Sequence, residues 1–70
     1  MAMTLKAARV NAGYTQFDVA NRLHVSPTTV SAWENGQNDI KASDFKALCD
    51  LYGESMDAII LPTKNIRNED

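Results

Sequence analysis

The stretch from Thr15 to Gly36 constrains the fold more than any other part of the chain. It holds two short segments with helical apolar spacing, separated by a compact break. The apolar residues of the first segment are Phe17, Val19, Ala20 and Leu23. In the second, Val30 and Trp33 lie one turn apart. Because positions i, i+3 and i+4 share one side of a helix, the stretch predicts two short amphipathic helices.

The ends of these two helices are marked by residues that cap helices. The Thr15 hydroxyl is placed to accept a backbone N–H one turn into the first helix. Ser26 and Pro27 are suited to the N-cap and first helical position of the second. Gly36 then favours a left-handed C-terminal cap. A helix, a tight turn and a second helix at this spacing predict a helix-turn-helix.

The same letters resemble the helix-turn-helix of the phage-repressor family, also called Cro-like or XRE-type. The matching residues are Thr15, Gln16, Ala20, Leu23, Val25, Ser26, Thr29, Ser31, Trp33, Glu34 and Gly36. Asp18, Val19 and Val30 are mild changes from the usual family residues. His24 replaces a glycine whose position commonly needs a positive φ, so we expect strain or a slightly different turn there. The resemblance covers about residues 5–60.

Apolar spacing and capping residues predict three further helices. Helix 1 should run from Thr4, its N-cap, to about Ala12, and helix 4 from Ala42 or Ser43 to Gly53. A short fifth helix should follow Ser55 and end at Pro62. The inward residues of helix 1 are expected to be Leu5, Ala8 and Val10. Residues 1–3 look like a frayed start and residues 62–70 like a tail with little to bury.

We therefore predict an all-α fold, a compact bundle of about five short helices. The resemblance implies the lambda-repressor-like DNA-binding architecture. Residues 1–70 should form a single domain with its core at about 4–61, which is near the size at which stability becomes marginal. The sequence contains one Cys, so no internal disulfide is possible. With no apolar run of membrane-spanning length and no signal-peptide core, we expect a cytoplasmic protein that does not contact membranes.

Residues that could perform chemistry have simpler structural interpretations. His24 is the one His in the sequence, and no Cys or carboxylate stands at ligand spacing from it, so we predict no metal site. Cys49 falls on the apolar side of helix 4 and is expected to pack in the core, as is Trp33. No nucleophile–base pair or glycine-rich phosphate loop is present. We expect no catalytic residue, no cofactor and no enzymatic activity.

The net charge of −2 argues mildly against nucleic acid as a partner, but the charge is unevenly distributed. Residues 1–46 carry five basic and four acidic side chains, a balance of +1, whereas residues 47–70 carry two and five, a balance of −3. In the fold that the resemblance implies, this acidic half lies away from the recognition helix. Because local potential decides docking, DNA binding remains the favoured interpretation, with few cations to contact phosphates.

The resemblance implies that helix 27–35 enters the major groove of DNA. The candidate DNA-binding residues are Gln16, Ser26, Pro27, Thr28, Ser31, Ala32, Asn35 and Lys41. Gln16 suits a phosphate at the start of its helix, and hydroxyls of Thr28 and Ser31 suit base edges. For Thr29 the family match fits either packing or contact. The family pattern also pairs Arg9 with Glu34 in a salt bridge, although two exposed charges are the alternative.

Together these features predict a sequence-specific double-stranded DNA-binding regulator, which resembles a small phage-type or mobile-element repressor. An antirepressor-like protein-binding module without DNA affinity, or an antitoxin, is the alternative. Four large apolar residues near the C-terminus predict a homodimer on DNA, with a fully buried monomer core as the alternative. These residues are Met56, Ile59, Ile60 and Leu61.

Overall fold

A computed structural model describes residues 2–62 and 66–67. In this part of the chain there are four α-helices and four two-residue strands. The helices are α1 (Leu5–Asn11), α2 (Gln16–Leu23), α3 (Pro27–Asn35) and α4 (Ala42–Tyr52). The strands are β1 (Met3–Thr4), β2 (Ile40–Lys41), β3 (Ile59–Ile60) and β4 (Ile66–Arg67). A single 3₁₀ turn, Met56–Ala58, lies where a fifth helix was expected, so that prediction is wrong.

Side-chain caps begin the first three helices where the sequence places them. The hydroxyl oxygens of Thr4 and Thr15 each accept a backbone N–H from the first turn of the helix that follows. At α2 the cap is reciprocal, because the carboxylate of Asp18 accepts the N–H of Thr15 at 2.9 Å. The helices α3 and α4 end at glycines with positive φ, Gly36 and Gly53.

One hydrophobic core joins all four helices to β2 and β3. Its members are Leu5, Ala8, Val19, Ala20, Val30, Trp33, Ile40, Phe45, Leu48, Cys49, Tyr52 and Ile59. Burial raises the pKa of the Cys49 thiol, as expected for a packed cysteine. None of the helices in residues 2–62 combines the length and apolar character that crossing a membrane requires.

Two residues expected to face inward are exposed. Phe17 is 73% exposed and Val10 is 56% exposed. The buried side of α2 contains Val19 and Ala20, and Gln16 precedes them by one turn on that side. Phe17, one position after Gln16, is therefore rotated by about 100° out of this face. Val10 stands in the same relation to the buried Arg9 of α1.

Short parallel strand pairs replace two segments predicted as irregular. Met3 pairs with Ile59 and Thr4 with Ile60, so residue 3 is not part of a frayed start. The β-branched Ile59 and Ile60 favour this extended pairing over a helix. In the predicted tail, β4 pairs in parallel with β2, Ile40 with Ile66 and Lys41 with Arg67. The predictions for residue 1 and for the tail at 63–65 and 68–70 fall outside the described residues.

The turn between α2 and α3 is built on a left-handed histidine. His24 has φ 58° and ψ 42°, and in the described part of the chain it is the one non-glycine residue with a positive φ. Its backbone N–H donates to the carbonyl of Ala20 and closes α2. A side chain in this conformation costs roughly 1–2 kcal/mol, so the expected strain is present without a change of fold.

Candidate nucleic-acid interface

The helix α3 has one face in the core and one face in solvent. Val30 and Trp33 are buried on the inner side. On the outer side Thr28 and Asn35 are exposed, and Ser31 is half-buried. This outer face carries hydroxyl and amide groups and no charged side chain, so it offers neutral hydrogen-bond donors and acceptors to whatever it meets.

At the N-terminal end of α3 the polar groups are held by the cap. The Ser26 hydroxyl accepts the backbone N–H of Thr29 at 3.2 Å, and the two hydroxyl oxygens lie 3.0 Å apart. Pro27 follows as the first helical residue and is half-buried. Thr29 therefore contributes to the local cap, and Thr28 is the freely exposed hydroxyl of this turn.

Near the C-terminal end of α3, Ser31 and Asn35 form a pair one turn apart. The Asn35 amide nitrogen donates to the Ser31 hydroxyl oxygen at 3.2 Å. The pair fixes both side chains on the same side of the helix while leaving the Ser31 hydrogen and the Asn35 carbonyl oxygen free to bond a ligand.

Ala32 does not fit its predicted role as a DNA contact. Only 5% of this residue is exposed. A methyl side chain extends a short distance from the helix, so larger neighbours cover it. The predicted contact between Ala32 and DNA is therefore not available on this surface.

Arg9 and Glu34 form a buried ion pair that joins α1 to α3. The Nε atom of Arg9 lies 2.7 Å from Oε2 of Glu34, and Nη2 lies 3.3 Å from Oε1. The two side chains are 10% and 4% exposed. The remaining arginine nitrogen, Nη1, donates to the carbonyl of Tyr14 at 2.9 Å. The hydrogen bond to Glu34 raises the pKa of Arg9, and the burial of both partners keeps this cation off the exposed surface of the helix-turn-helix.

Gln16 also bonds to Glu34. Its Nε2 atom donates to Oε1 of Glu34 at 3.0 Å. The side chain is thus directed toward the carboxylate, and its contact with a phosphate stays a prediction. The sequence already indicated that Gln16 lies on the inner side of α2, because Gln16, Val19, Ala20 and Leu23 are spaced to share one face of the helix.

A family model described as a helix-turn-helix domain matches residues 1–58. The chain belongs to this helix-turn-helix domain family. A comparison with curated proteins gave no match. The matched residues include the whole of α2 and α3.

Cations are sparse around this helix-turn-helix. Lys41 is exposed and follows the loop after α3, and Lys6 is exposed on α1. Arg22 is exposed on α2, and its guanidinium carbon lies 5.3 Å from the centroid of the Tyr14 ring, within range of a cation–π contact. Among the predicted DNA-binding residues, Lys41 is thus the one with a positive charge.

Phe17 is a feature of the helix-turn-helix that sequence reasoning placed in the core. It lines a groove of about 410 Å³ between α2 and the start of α3. The other residues that line this groove are Asp18, Ala20, Asn21, Val25 and Pro27.

The four residues predicted at a dimer interface do not share one environment. Ile59 is 8% exposed and belongs to the core, as the alternative of a buried monomer core expects for this residue. Met56 and Ile60 are 40% and 55% exposed, and Leu61 is half-buried against the core. The extended pairing of β3 explains the difference, because successive strand residues face opposite sides.

Proposed function

We propose that this helix-turn-helix protein is a sequence-specific double-stranded DNA-binding transcriptional regulator of the Cro-like, XRE type. It acts as a repressor, in the cytoplasm and without enzymatic activity, by placing α3 in the major groove of an operator. The observation that carries the proposal is the outer face of α3, where Thr28, Ser31 and Asn35 present neutral polar groups. On the inner side of the same helix, Glu34 bonds to Arg9 and fixes α3 to α1. Major-groove base edges are read by such groups.

Affinity in this proposal depends on close fit more than on charge. With Arg9 paired internally, the candidate cations for phosphates among the described residues are Lys6, Arg22 and Lys41. The backbone N–H groups at the N-termini of α2 and α3 add neutral donors for phosphate oxygens. Binding should therefore weaken with salt less steeply than for a heavily basic repressor.

The test is selection of bound sequences from a random duplex pool at low salt. The proposal expects enrichment of a defined, near-palindromic motif. Recovery of unenriched sequences with measurable binding would mean nonspecific association only. Absence of binding to any duplex would refute the proposal.

We further propose a homodimer on DNA, for which the exposed Met56 and Ile60 supply an apolar surface beside Leu61. Two protomers would place their copies of α3 about 34 Å apart, in successive major grooves. Sedimentation equilibrium with operator should give two protomers per site. Ile60→Asp should weaken operator binding, and the variant should still fold because Ile60 is exposed. Val10→Asp, at another exposed apolar site, is the matched control. One protomer per operator would contradict the dimer.

The second candidate is a protein-binding module of the same fold, antirepressor-like or an antitoxin. The low number of free cations and the exposed Phe17 favour it. A gel shift with random-sequence duplex at low salt separates the two, because a module of this kind would leave DNA unshifted while remaining folded.

A further inference from the structure

Phe17 is the most exposed large hydrophobic side chain in the described residues, at 73%. It lies in the first turn of α2, where the neighbouring Thr15 and Asp18 already complete the helix cap. A phenyl ring in this position adds nothing to the cap and little to the core. An exposed aromatic on a small domain commonly marks a contact surface.

The ring is located directly beside the start of α3. Phe17 and Pro27 line the same groove, with Ala20 buried between them at 2% exposure and Val25 from the turn. The groove therefore continues the outer face of α3 onto α2. A duplex that received the N-terminal turn of α3 would also come close to the apolar side chains of this groove, Phe17 and Pro27.

The charges around the groove exclude a phosphate as its occupant. No cationic side chain is among the described residues that line it. Its single ionisable group is Asp18, whose carboxylate is bonded to the backbone of Thr15. An aspartate is ionised at neutral pH, and hydrogen bonds from Thr15 lower the pKa of Asp18 further, so the groove carries a negative charge that disfavours phosphate.

We propose that Phe17, together with Pro27, contacts the 5-methyl group of a thymine and so sets a thymine preference within each half-site. This inference rests on the proposed DNA binding. In the major groove the thymine methyl is the apolar feature of the base edges, and it is the feature that an apolar groove of this kind can distinguish. This thymine preference comes from Phe17 on α2 with Pro27 at the start of α3, and it is independent of the hydroxyls on α3.

The test is a uracil scan of the operator obtained by selection. Each thymine is replaced in turn by deoxyuridine, which removes only the methyl group. In the wild-type protein one position per half-site should weaken binding about fourfold, the change expected for burying one methyl-sized group. Because Phe17→Ala alters both protomers of the proposed dimer, it should bind the thymine operator about sixteenfold more weakly, which is fourfold for each half-site, and lose no further affinity with uracil at that position.

Two further variants are compared with Phe17→Ala. Phe17→Leu keeps an apolar side chain and should retain part of the thymine effect. Val10→Ala removes another exposed apolar side chain, on α1, and should leave the uracil scan unchanged. Circular dichroism checks that all three variants fold, which is expected because both positions are exposed.

Four outcomes would overturn the inference. Equal binding of the operator by wild type and Phe17→Ala would mean that Phe17 does not contact DNA and is available to a protein partner. An equal loss on thymine and uracil operators would mean a contact with the sugar–phosphate backbone. Operator binding with no uracil-sensitive position would show that the methyl is not read. Failure of the wild type to bind any duplex would instead refute the proposed function itself, and the inference would fall with it.

Discussion

The two ends of α3 use polar groups in opposite ways. At the C-terminal end Glu34 is buried and accepts from two nitrogens of Arg9 and from Gln16. At the N-terminal end Ser26 caps the helix and Thr28 remains exposed. The first end contains a charged pair that is almost fully buried, and the second contains the exposed hydroxyls of Ser26 and Thr28.

The difference shows how a small domain with few cations divides them between stability and binding. A buried pair contributes to holding α1, α2 and α3 together only while both partners are present. The exposed hydroxyls cost little to leave in water and are available to a ligand. Substitutions at the two ends should therefore separate folding from recognition.

The largest effect is expected at Glu34. Glu34→Ala leaves the Arg9 guanidinium buried without its carboxylate, and we expect a loss of about 3–5 kcal/mol in the free energy of unfolding. Urea denaturation measures it. Asp50→Ala is the control, because Asp50 pairs with Lys46 at 3.3 Å while both side chains are more than two-thirds exposed. This change should cost about 0–1 kcal/mol. Equal effects of the two variants would contradict the comparison.

Recognition of DNA should change most when the hydroxyls on the outer face of α3 are removed. Thr28→Ala and Ser31→Ala should each remove about 1–3 kcal/mol of discrimination between operator and non-operator DNA if the hydroxyl reads a base. Binding to both duplexes, measured with each variant, gives the discrimination directly. Ser43→Ala, on the exposed surface of α4, is the matched control. Unchanged discrimination in both variants would show that α3 is not read through these groups.

A smaller effect is expected at the turn that precedes α3. His24→Gly removes the side chain from a left-handed residue but adds freedom to the unfolded chain. The net result should be a gain of about 0.5–1 kcal/mol in the free energy of unfolding, because the strain of 1–2 kcal/mol exceeds the entropy loss. Thermal and urea unfolding test it. Gly36→Ala, at a glycine with φ 75°, should act in the opposite direction. A destabilised His24→Gly would show that the imidazole makes contacts that outweigh the strain.

The smallest effect concerns Asp18 and depends on pH. Hydrogen bonds from Thr15 lower the pKa of this exposed carboxyl. A carboxylate with a lowered pKa in the folded state stabilises the protein above its unfolded pKa of about 3.9, and this stabilisation is lost as the pH falls through the folded value. Asp18→Asn should therefore be less stable than wild type at neutral pH and equal to it in strong acid. A difference that persists in acid would mean that charge is not the cause.

Much of the fold could be predicted from local signals. Thr4, Thr15 and Ser26 marked the helix starts, and Gly36 and Gly53 marked two ends, because capping depends on one or two neighbouring residues. The two-residue strands were missed, since their partners lie far away in sequence and two residues carry no periodicity. The exposure of Phe17 was missed because Phe17 and Ala20 are three residues apart, which fits one face of a helix. In the structure Gln16, four residues before Ala20, occupies the buried face instead.

The candidate site was predicted less completely than the fold. The family resemblance pointed to Arg9 with Glu34 and to the exposed positions of α3. It did not reveal that Gln16 bonds to Glu34 or that Ala32 is covered, because both depend on side-chain packing between helices. A resemblance transfers positions, whereas orientation is decided by the neighbours that each side chain has in this chain.

The pairing of β1 with β3 has a consequence for the order of folding. It joins the third residue of the chain to the fifty-ninth, whereas α2 and α3 pack through contacts that are close in sequence. Closing so long a loop is slower than forming local structure. During synthesis the helix-turn-helix emerges from the ribosome well before Ile59 does. In the nascent chain α2 and α3 can therefore come into contact before β1 meets its partner strand, and the shared core completes only when α4 and β3 have joined them.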